Sequence, residues 1–168
     1  MKKRLSTIIL VLVFLTGFSV LLYPTISNYI NSIHQSRAIA DYSAITENYT
    51  KVDITKALAA ADDYNAALRK NPMAFYNPKL VDGYENILDV SGTGIMGYIS
   101  IDKINVHLPI YHTTNASVLQ VAVGHLEGSS FPVGGAGTHC VLSGHRGLPN
   151  AKLFSDLDKL EIGDTFVI

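Results

Sequence analysis

The chain of 168 residues has little of several residue types, and each shortage excludes a class of protein. It has no tryptophan. Its cysteine content is a single residue, Cys140, and this excludes an internal disulfide framework and every multi-cysteine metal motif. Charged residues make up 16% of the chain, the net charge is −1, and no five like charges follow one another, so a nucleic-acid partner is not expected. Hydrophobic residues reach 48%, which is too many for a disordered tail and predicts a folded protein.

One long hydrophobic run is present, at the N-terminus. Residues 5–23 contain no charged side chain, and as a helix these 19 residues would rise about 28 Å, close to the ~30 Å hydrocarbon core of a bilayer. The basic triplet at residues 2–4 favours a cytoplasmic N-terminus, with the rest of the chain outside the cell. A cleaved signal peptide is the alternative, although the run is long and lacks a small-residue cleavage site. We predict an uncleaved signal anchor over residues 1–23.

Residues 24–70 contain no glycine, and their only proline stands at the start, where a helix tolerates it. Apolar residues at a loose helical spacing predict two amphipathic helices here. We expect a break near residue 50, with Asp53 or Thr55 as the cap of the second helix. The helices are expected to pack on the following domain or on each other, and a dedicated partner-binding hairpin is the alternative.

The remaining residues change from loop to β-structure. Asn71 and Pro72 end the helix, and a second proline follows at residue 78, so residues 71–94 are predicted to form a loop. From residue 95 onward, short apolar runs punctuated by glycine predict strands, with Pro109 at a sheet edge or bulge. The expected strands are residues 97–101, 106–111, 138–143 and 164–168, and the expected helices are residues 114–121 and 151–160. Because the sequence stops within an apolar run, we expect a fragment of a larger β domain.

Histidine supplies the strongest candidate for chemistry. The six histidines are His34, His107, His112, His125, His139 and His145. His139 and His145 have no carboxylate near them in the sequence, so no metal site is predicted. His145 is bracketed by Gly144 and Gly147 after a predicted strand, which would present its imidazole at a strand end, where proton-transfer groups are often placed. A turn histidine without a chemical role is the alternative.

Cys140 is a weaker candidate for a nucleophile. It precedes His145 by five residues, and side chains alternate along a strand, so the two are expected to face opposite ways. We therefore predict that Cys140 is a small packed residue. No serine-nucleophile elbow, phosphate-binding loop or dinucleotide fingerprint occurs, since the glycine-rich stretch at residues 134–137 lacks the required spacing.

From residue 94 the sequence resembles the first half of the catalytic domain of class C, pilus-assembling sortases of Gram-positive bacteria. The resemblance rests on the blocks LPIYH, HLEGSSFPVGG and SGHRGLPNAKLF, which begin at residues 108, 125 and 143. It implies a mainly β fold, the N-terminal part of an eight-stranded barrel, preceded by a transmembrane helix and an α-helical segment. No cofactor and no metal are expected.

The resemblance also implies an activity. Such enzymes are cysteine transpeptidases that cut an LPXTG-type sorting motif of pilin or surface proteins, hold the acyl group as a thioester, and pass it to a lysine amine. His145 matches the catalytic histidine, which would exchange protons with the thiol and the amine. The family's TLxTC-like block and its arginine have no counterpart in residues 1–168, and neither Cys140 nor Arg146 occupies their positions.

These expectations divide the chain into an anchor at residues 1–23, a helical segment at 24–70, a loop or lid-like tether at 71–94 and a truncated catalytic domain at 95–168. Pilus sortases often carry an Asp-Pro-aromatic lid motif, of which Asn77-Pro78-Lys79 keeps only the proline, so a plugging lid is not expected. The resulting hypothesis is a membrane-anchored sortase chain that is catalytically incomplete over these residues. A non-enzymatic remnant that binds sorting motifs weakly is one alternative, and a membrane-anchored adhesin is another.

Overall fold

The computed structural model describes residues 2–168, and two long helices make up its first part. Helix α1 runs without a break over Lys2–Thr46, with Pro24 inside it, and α2 covers Lys51–Lys70. The side chains of residues 4–21 are exposed, and half-buried positions begin at Leu22. The first part of α1 is therefore long and apolar enough to cross a membrane, and its second part packs on the protein.

Helix α2 begins at a capping box. Thr50 Oγ1 accepts a hydrogen bond from Asp53 N at 3.2 Å, and Thr50 N donates to Asp53 Oδ2 at 3.0 Å. The prediction of Asp53 or Thr55 as the cap is wrong, because the cap must stand outside the helix and accept from an N–H group that has no partner within it. Asp53 is the reciprocal partner at the third helical position, and its bonds to Thr50 lower the pKa of its carboxyl group.

The second part of the chain builds a four-stranded sheet with the order β1-β2-β3-β4. The strands are β1 (Ile95–Ile101), β2 (Val106–His112), β3 (Val123–His125) and β4 (Leu142–Ser143). β1 and β2 are antiparallel, as are β3 and β4, whereas β2 and β3 are parallel. The parallel pair requires a crossover, which contains the short helix α3 (Ala116–Leu119). The predicted β-structure behind an apolar helix and a helical segment is confirmed.

Pro109 lies on a strand with neighbours on both sides, so the predicted edge or bulge position is wrong for β2. The pairing of β2 with β3 begins only at Ile110. His112 N donates to Gly94 O on the β1 side, so by alternation the nitrogen of Pro109 faces the β3 side. The proline is tolerated because its missing N–H lies just before the stretch that β3 reaches.

The regular structure after β3 is less extensive than the sequence pattern predicts. Of the predicted strand at residues 138–143, only Leu142–Ser143 forms a ladder. The predicted helix at residues 151–160 is wrong, because Leu153 has a φ of 36°, which a right-handed helix cannot contain. Short 3₁₀ helices occupy Pro72–Phe75, Pro78–Leu80, Tyr84–Asn86, Asp102–Ile104 and Leu157–Lys159.

The end of the chain returns to the sheet at a single point. Ser100 and Val167 form an isolated antiparallel bridge in which each backbone N–H donates to the other carbonyl at 2.9 Å. The predicted last strand, residues 164–168, is thus reduced to one bridge beside β1. An isolated bridge does little to fix the register of the two segments, because the residues on either side of it form no further pairs.

The hydrophobic core joins the sheet to α2 and to the loop at residues 71–94. Helix α2 contributes Tyr64, whose ring centroid lies 5.0 Å from that of Phe131. From the loop, Tyr84 is buried and stacks on Phe131 with centroids 5.4 Å apart. His125 of β3 stacks on the same ring at 5.3 Å. These contacts fix the loop to the sheet on which the candidate site stands.

Candidate functional site

His145 stands two residues beyond β4 on a backbone that a glycine brings close to an aromatic ring. Phe154 N donates a hydrogen bond to His145 O at 3.1 Å, and the ring of Phe154 is buried beneath this turn. A Cβ atom at Gly144 would lie only 2.7 Å from Phe154 Cδ2. Glycine is therefore required at this position for the chain to pass over the ring, and this passage exposes the side chain of His145.

The imidazole of His145 is oriented by a backbone carbonyl. Its Nδ1 lies 2.6 Å from Leu119 O, at the end of α3. Since a carbonyl oxygen only accepts, the proton of the neutral ring is on Nδ1 and Nε2 carries the free lone pair. The exposed ring is thus held in the tautomer in which Nε2 takes up or releases a proton.

The other sequence-predicted groups near His145 do not join it. Arg146 forms an ion pair with Asp158 at 3.0 Å, which turns its guanidinium towards the 3₁₀ helix at Leu157–Lys159. Cys140 is half-buried, and within residues 2–168 it shares no hydrogen bond with His145. Burial raises the pKa of the Cys140 thiol to about 11, so at neutral pH it is protonated and a poor nucleophile.

A second histidine, which sequence reasoning did not single out, is fully buried in the core. His125 Nε2 lies 2.9 Å from Ser130 O, and its Nδ1 lies 3.0 Å from the hydroxyl oxygen of Tyr84. The bond to the Ser130 carbonyl places the proton on Nε2, so Nδ1 is the acceptor that faces the tyrosine. Burial lowers the pKa of His125 to about 4, which keeps the ring neutral. His125 is therefore a structural link between β3 and the loop.

The four remaining histidines are dispersed. His34 is exposed on α1, His139 is exposed after the glycine-rich turn, and His107 lies 2.8 Å through its Nδ1 from Ser100 Oγ. His112 is buried, with both ring nitrogens within 3.0 Å of backbone carbonyl oxygens. Among residues 2–168, no three His, Cys, Asp or Glu side chains are grouped so that they could hold a metal ion.

The tether at residues 71–94 is fixed to the sheet through Tyr84. The buried hydroxyl of this residue accepts from Thr113 N at 3.0 Å and also reaches the backbone oxygen of His125 at 3.0 Å. The turn at Pro78–Leu80 borders a cleft together with Glu127. The residues of the incomplete Asp-Pro-aromatic motif therefore lie beside the loop that follows β3.

Comparison with known proteins identifies the family of this chain. The profile of the family described as Sortase domain matches residues 99–168. The crystal structure of sortase C1 from Streptococcus agalactiae is 47% identical in sequence, with 77% of this chain and 68% of that chain covered and a TM-score of 0.69. Sortase C of Streptococcus pneumoniae is 37% identical, with coverages of 77% and 66% and a TM-score of 0.67.

A further solved structure, sortase C1 of GBS pilus island 1, is 41% identical and covers 79% of this chain, with a TM-score of 0.69. No curated protein matches the chain. The chain belongs to the sortase family, in its class C group. It spans 68%, 66% and 63% of the lengths of the three structures named.

Proposed function

We propose that this chain supplies the catalytic histidine and the membrane anchor of a cysteine transpeptidase that joins pilin subunits through an LPXTG-type sorting motif. The observation that carries the proposal is His145. Its imidazole is exposed, it is held at Nδ1 by Leu119 O at 2.6 Å, and its Nε2 is free to move a proton. Membership of the class C group supports the substrate class and the reaction.

In the proposed reaction, Nε2 of His145 takes the proton of the catalytic thiol, and the thiolate attacks the carbonyl carbon of the threonine in the motif. The bond between threonine and glycine breaks, and the leaving amine takes the proton back from the imidazolium. A lysine amine of the next pilin then attacks the thioester and gives its proton to Nε2, and the thiolate leaves.

The nucleophile in this proposal is not Cys140. Its thiol is half-buried with a pKa raised to about 11, and the imidazole of His145 bonds to Leu119 O rather than to this thiol. Because residues 1–168 contain no other cysteine, they are not expected to form the thioester by themselves. The TLxTC-type cysteine and the arginine of the family would be supplied by residues beyond this stretch.

We further propose that α1 crosses the cell membrane once, with the N-terminus in the cytoplasm and the sheet outside. The exposed, uncharged residues 5–21 support the span, and the basic residues 2–4 support the orientation.

The test is a chimera in which residues 1–168 are continued by the remaining C-terminal part of sortase C1 from Streptococcus agalactiae. We expect it to cleave a quenched LPXTG peptide, and we expect His145→Ala to lower the rate by at least about a hundredfold. His34→Ala, which removes an exposed histidine side chain of α1, is the matched control and should leave the rate unchanged. Residues 1–168 alone should show no cleavage. Cleavage by them that disappears in Cys140→Ala would overturn the assignment of the nucleophile.

A further inference from the structure

Three side chains of α1 beyond its apolar part bond to the backbone around the candidate site. Asn28 Oδ1 accepts a hydrogen bond from Lys152 N at 2.8 Å, and Asn31 Nδ2 donates to Asn150 O at 2.7 Å. Farther along the helix, Gln35 Nε2 donates to Val121 O at 2.7 Å. These contacts fix where along the helix axis each loop of the sheet lies.

The rise of an α-helix gives the distance along the helix axis from the end of the apolar run to each of these contacts. At ~1.5 Å per residue, Asn28 stands about 8 Å beyond Tyr23, where the apolar run ends, and Gln35 stands about 18 Å beyond it. The loop at residues 148–152 is therefore the lower of the two attachment points. It also shares a surface cleft with Pro24, directly at the end of the apolar run.

The position of His145 follows from its own two hydrogen bonds. Its carbonyl accepts from Phe154 N, two residues beyond the lower attachment point at Lys152. Its Nδ1 donates to Leu119 O, two residues before the upper attachment point at Val121. His145 is thus bonded to a residue near each attachment point, and the partners of those points on α1 stand roughly 8 Å and 18 Å along the axis from the end of the apolar run.

We propose that the loop at residues 148–152 is a membrane-contact surface that lies in the lipid headgroup layer. This inference rests on the proposed membrane span of α1. The headgroup layer of one leaflet is about 5–8 Å thick. The loop spans the heights from Pro24, with which Pro149 shares the cleft, to Asn31, about 12 Å beyond Tyr23, so its lower part lies within that layer. Helix α1 therefore holds both segments bonded to His145 at residues that stand within roughly 10 Å of the headgroups, and we expect substrates to reach the site near the membrane surface.

The contact does not depend on anionic lipid. Lys152 Nζ pairs with Asp156 at 2.6 Å, and Asp156 also receives Lys159 at 2.9 Å, so these three side chains together carry a net charge of only +1. The loop is brought to the headgroups by its bonds to α1. The same contact is expected on phosphatidylcholine and on membranes that contain phosphatidylglycerol.

The experiment uses the full chain with Cys140→Ser, so that single cysteines can be labelled with an environment-sensitive fluorophore. Labels at Pro149→Cys and Lys152→Cys test the loop, and a label at Thr25→Cys marks the end of the apolar run of α1. The control label is at Glu47→Cys, about 35 Å farther along the helix axis from the apolar run. Each variant is placed in phosphatidylcholine nanodiscs with and without headgroup-spin-labelled lipid. Circular dichroism confirms that each variant is folded.

The labels on the loop should lose emission to the spin-labelled lipid as strongly as the label at Thr25, and the label at Glu47 should lose none. Quenching at Thr25 without quenching at either loop position would overturn the proposed contact surface. Absence of quenching at Thr25 as well would show that α1 does not span the bilayer, which would overturn the anchor and the surface together. Replacing a fifth of the phosphatidylcholine by phosphatidylglycerol should leave the pattern unchanged.

Discussion

Replacing Gly124 by alanine is expected to disturb His145 from the far side of α3. Gly124 lies in β3, and a Cβ atom there would overlap the backbone oxygen of Thr113 and would lie 3.2 Å from Leu119 Cδ2. Leu119 also carries the carbonyl oxygen that receives the Nδ1 proton of His145. One added methyl group therefore presses on the segment that orients the imidazole.

The magnitude follows from which atoms meet. The nearest atom belongs to the backbone of Thr113, so no side-chain rotation can relieve the overlap, and the segment before α3 must move. Overpacking of this kind typically costs about 1–3 kcal/mol, and we expect Gly124→Ala to lie in the upper half of that range. Gly97→Ala in β1 is the matched control, because no atom lies within 4 Å of the added methyl group. The control should change stability by less than about 1 kcal/mol, since it chiefly restricts the unfolded chain.

Urea unfolding of the full chain in detergent micelles, followed by the fluorescence of its nine tyrosines, measures both variants. In ¹⁵N-histidine spectra, the Nδ1–H signal of His145 should move in Gly124→Ala and stay in place in Gly97→Ala. Equal unfolding midpoints for the two variants, together with an unmoved His145 signal, would refute the close approach at Gly124 and the role of α3 in orienting the ring.

Three further outcomes follow from the hydrogen bonds described above. The unfolding free energy should fall by about 2 kcal/mol between pH 7 and pH 5, because His125 binds a proton near pH 6.5 when unfolded and only near pH 4 when folded; a flat pH profile in denaturation experiments would contradict this. Tyr84→Phe leaves Thr113 N and Nδ1 of His125 without a partner and should cost about 1–3 kcal/mol in the same assay. Thr50→Ala removes the cap of α2 and should cost about 1 kcal/mol, with faster amide exchange confined to its first turn.

The features that sequence reasoning recovered are those with a local cause. The apolar run of α1, the break near residue 50 and the strands β1 and β2 follow from composition and periodicity within a few residues. The exposed position of His145 follows from the glycine before it, which leaves room for a ring below. The helix predicted at residues 151–160 is the exception. Its apolar spacing is compatible with a helix, but the backbone turns at Leu153, which has a positive φ.

The features that sequence reasoning missed depend on partners far apart in the chain. His125 meets Tyr84 across 41 positions, and Asn31 meets Asn150 across 119. Neither pairing leaves a spacing pattern in the sequence, because the partners are brought together by the crossover between β2 and β3 and by the packing of α1. Ser129 and Ser130, which follow His125 in the sequence, are an indirect indication of its structural role, because they supply the oxygen atoms around its Nε2.

Long-range contacts of this kind also connect α1 to the candidate site. Gln35 bonds to Val121 O just after α3, and α3 orients His145 through Leu119 O, so the helix that begins with the apolar run is two hydrogen bonds from the imidazole. The backbone of residue 145 is likewise connected to α1 through Phe154 and the loop bonded by Asn28. A displacement of α1 relative to the sheet would have to break both connections. The second part of α1 is therefore part of the scaffold that positions His145, and it does not act as a flexible tether.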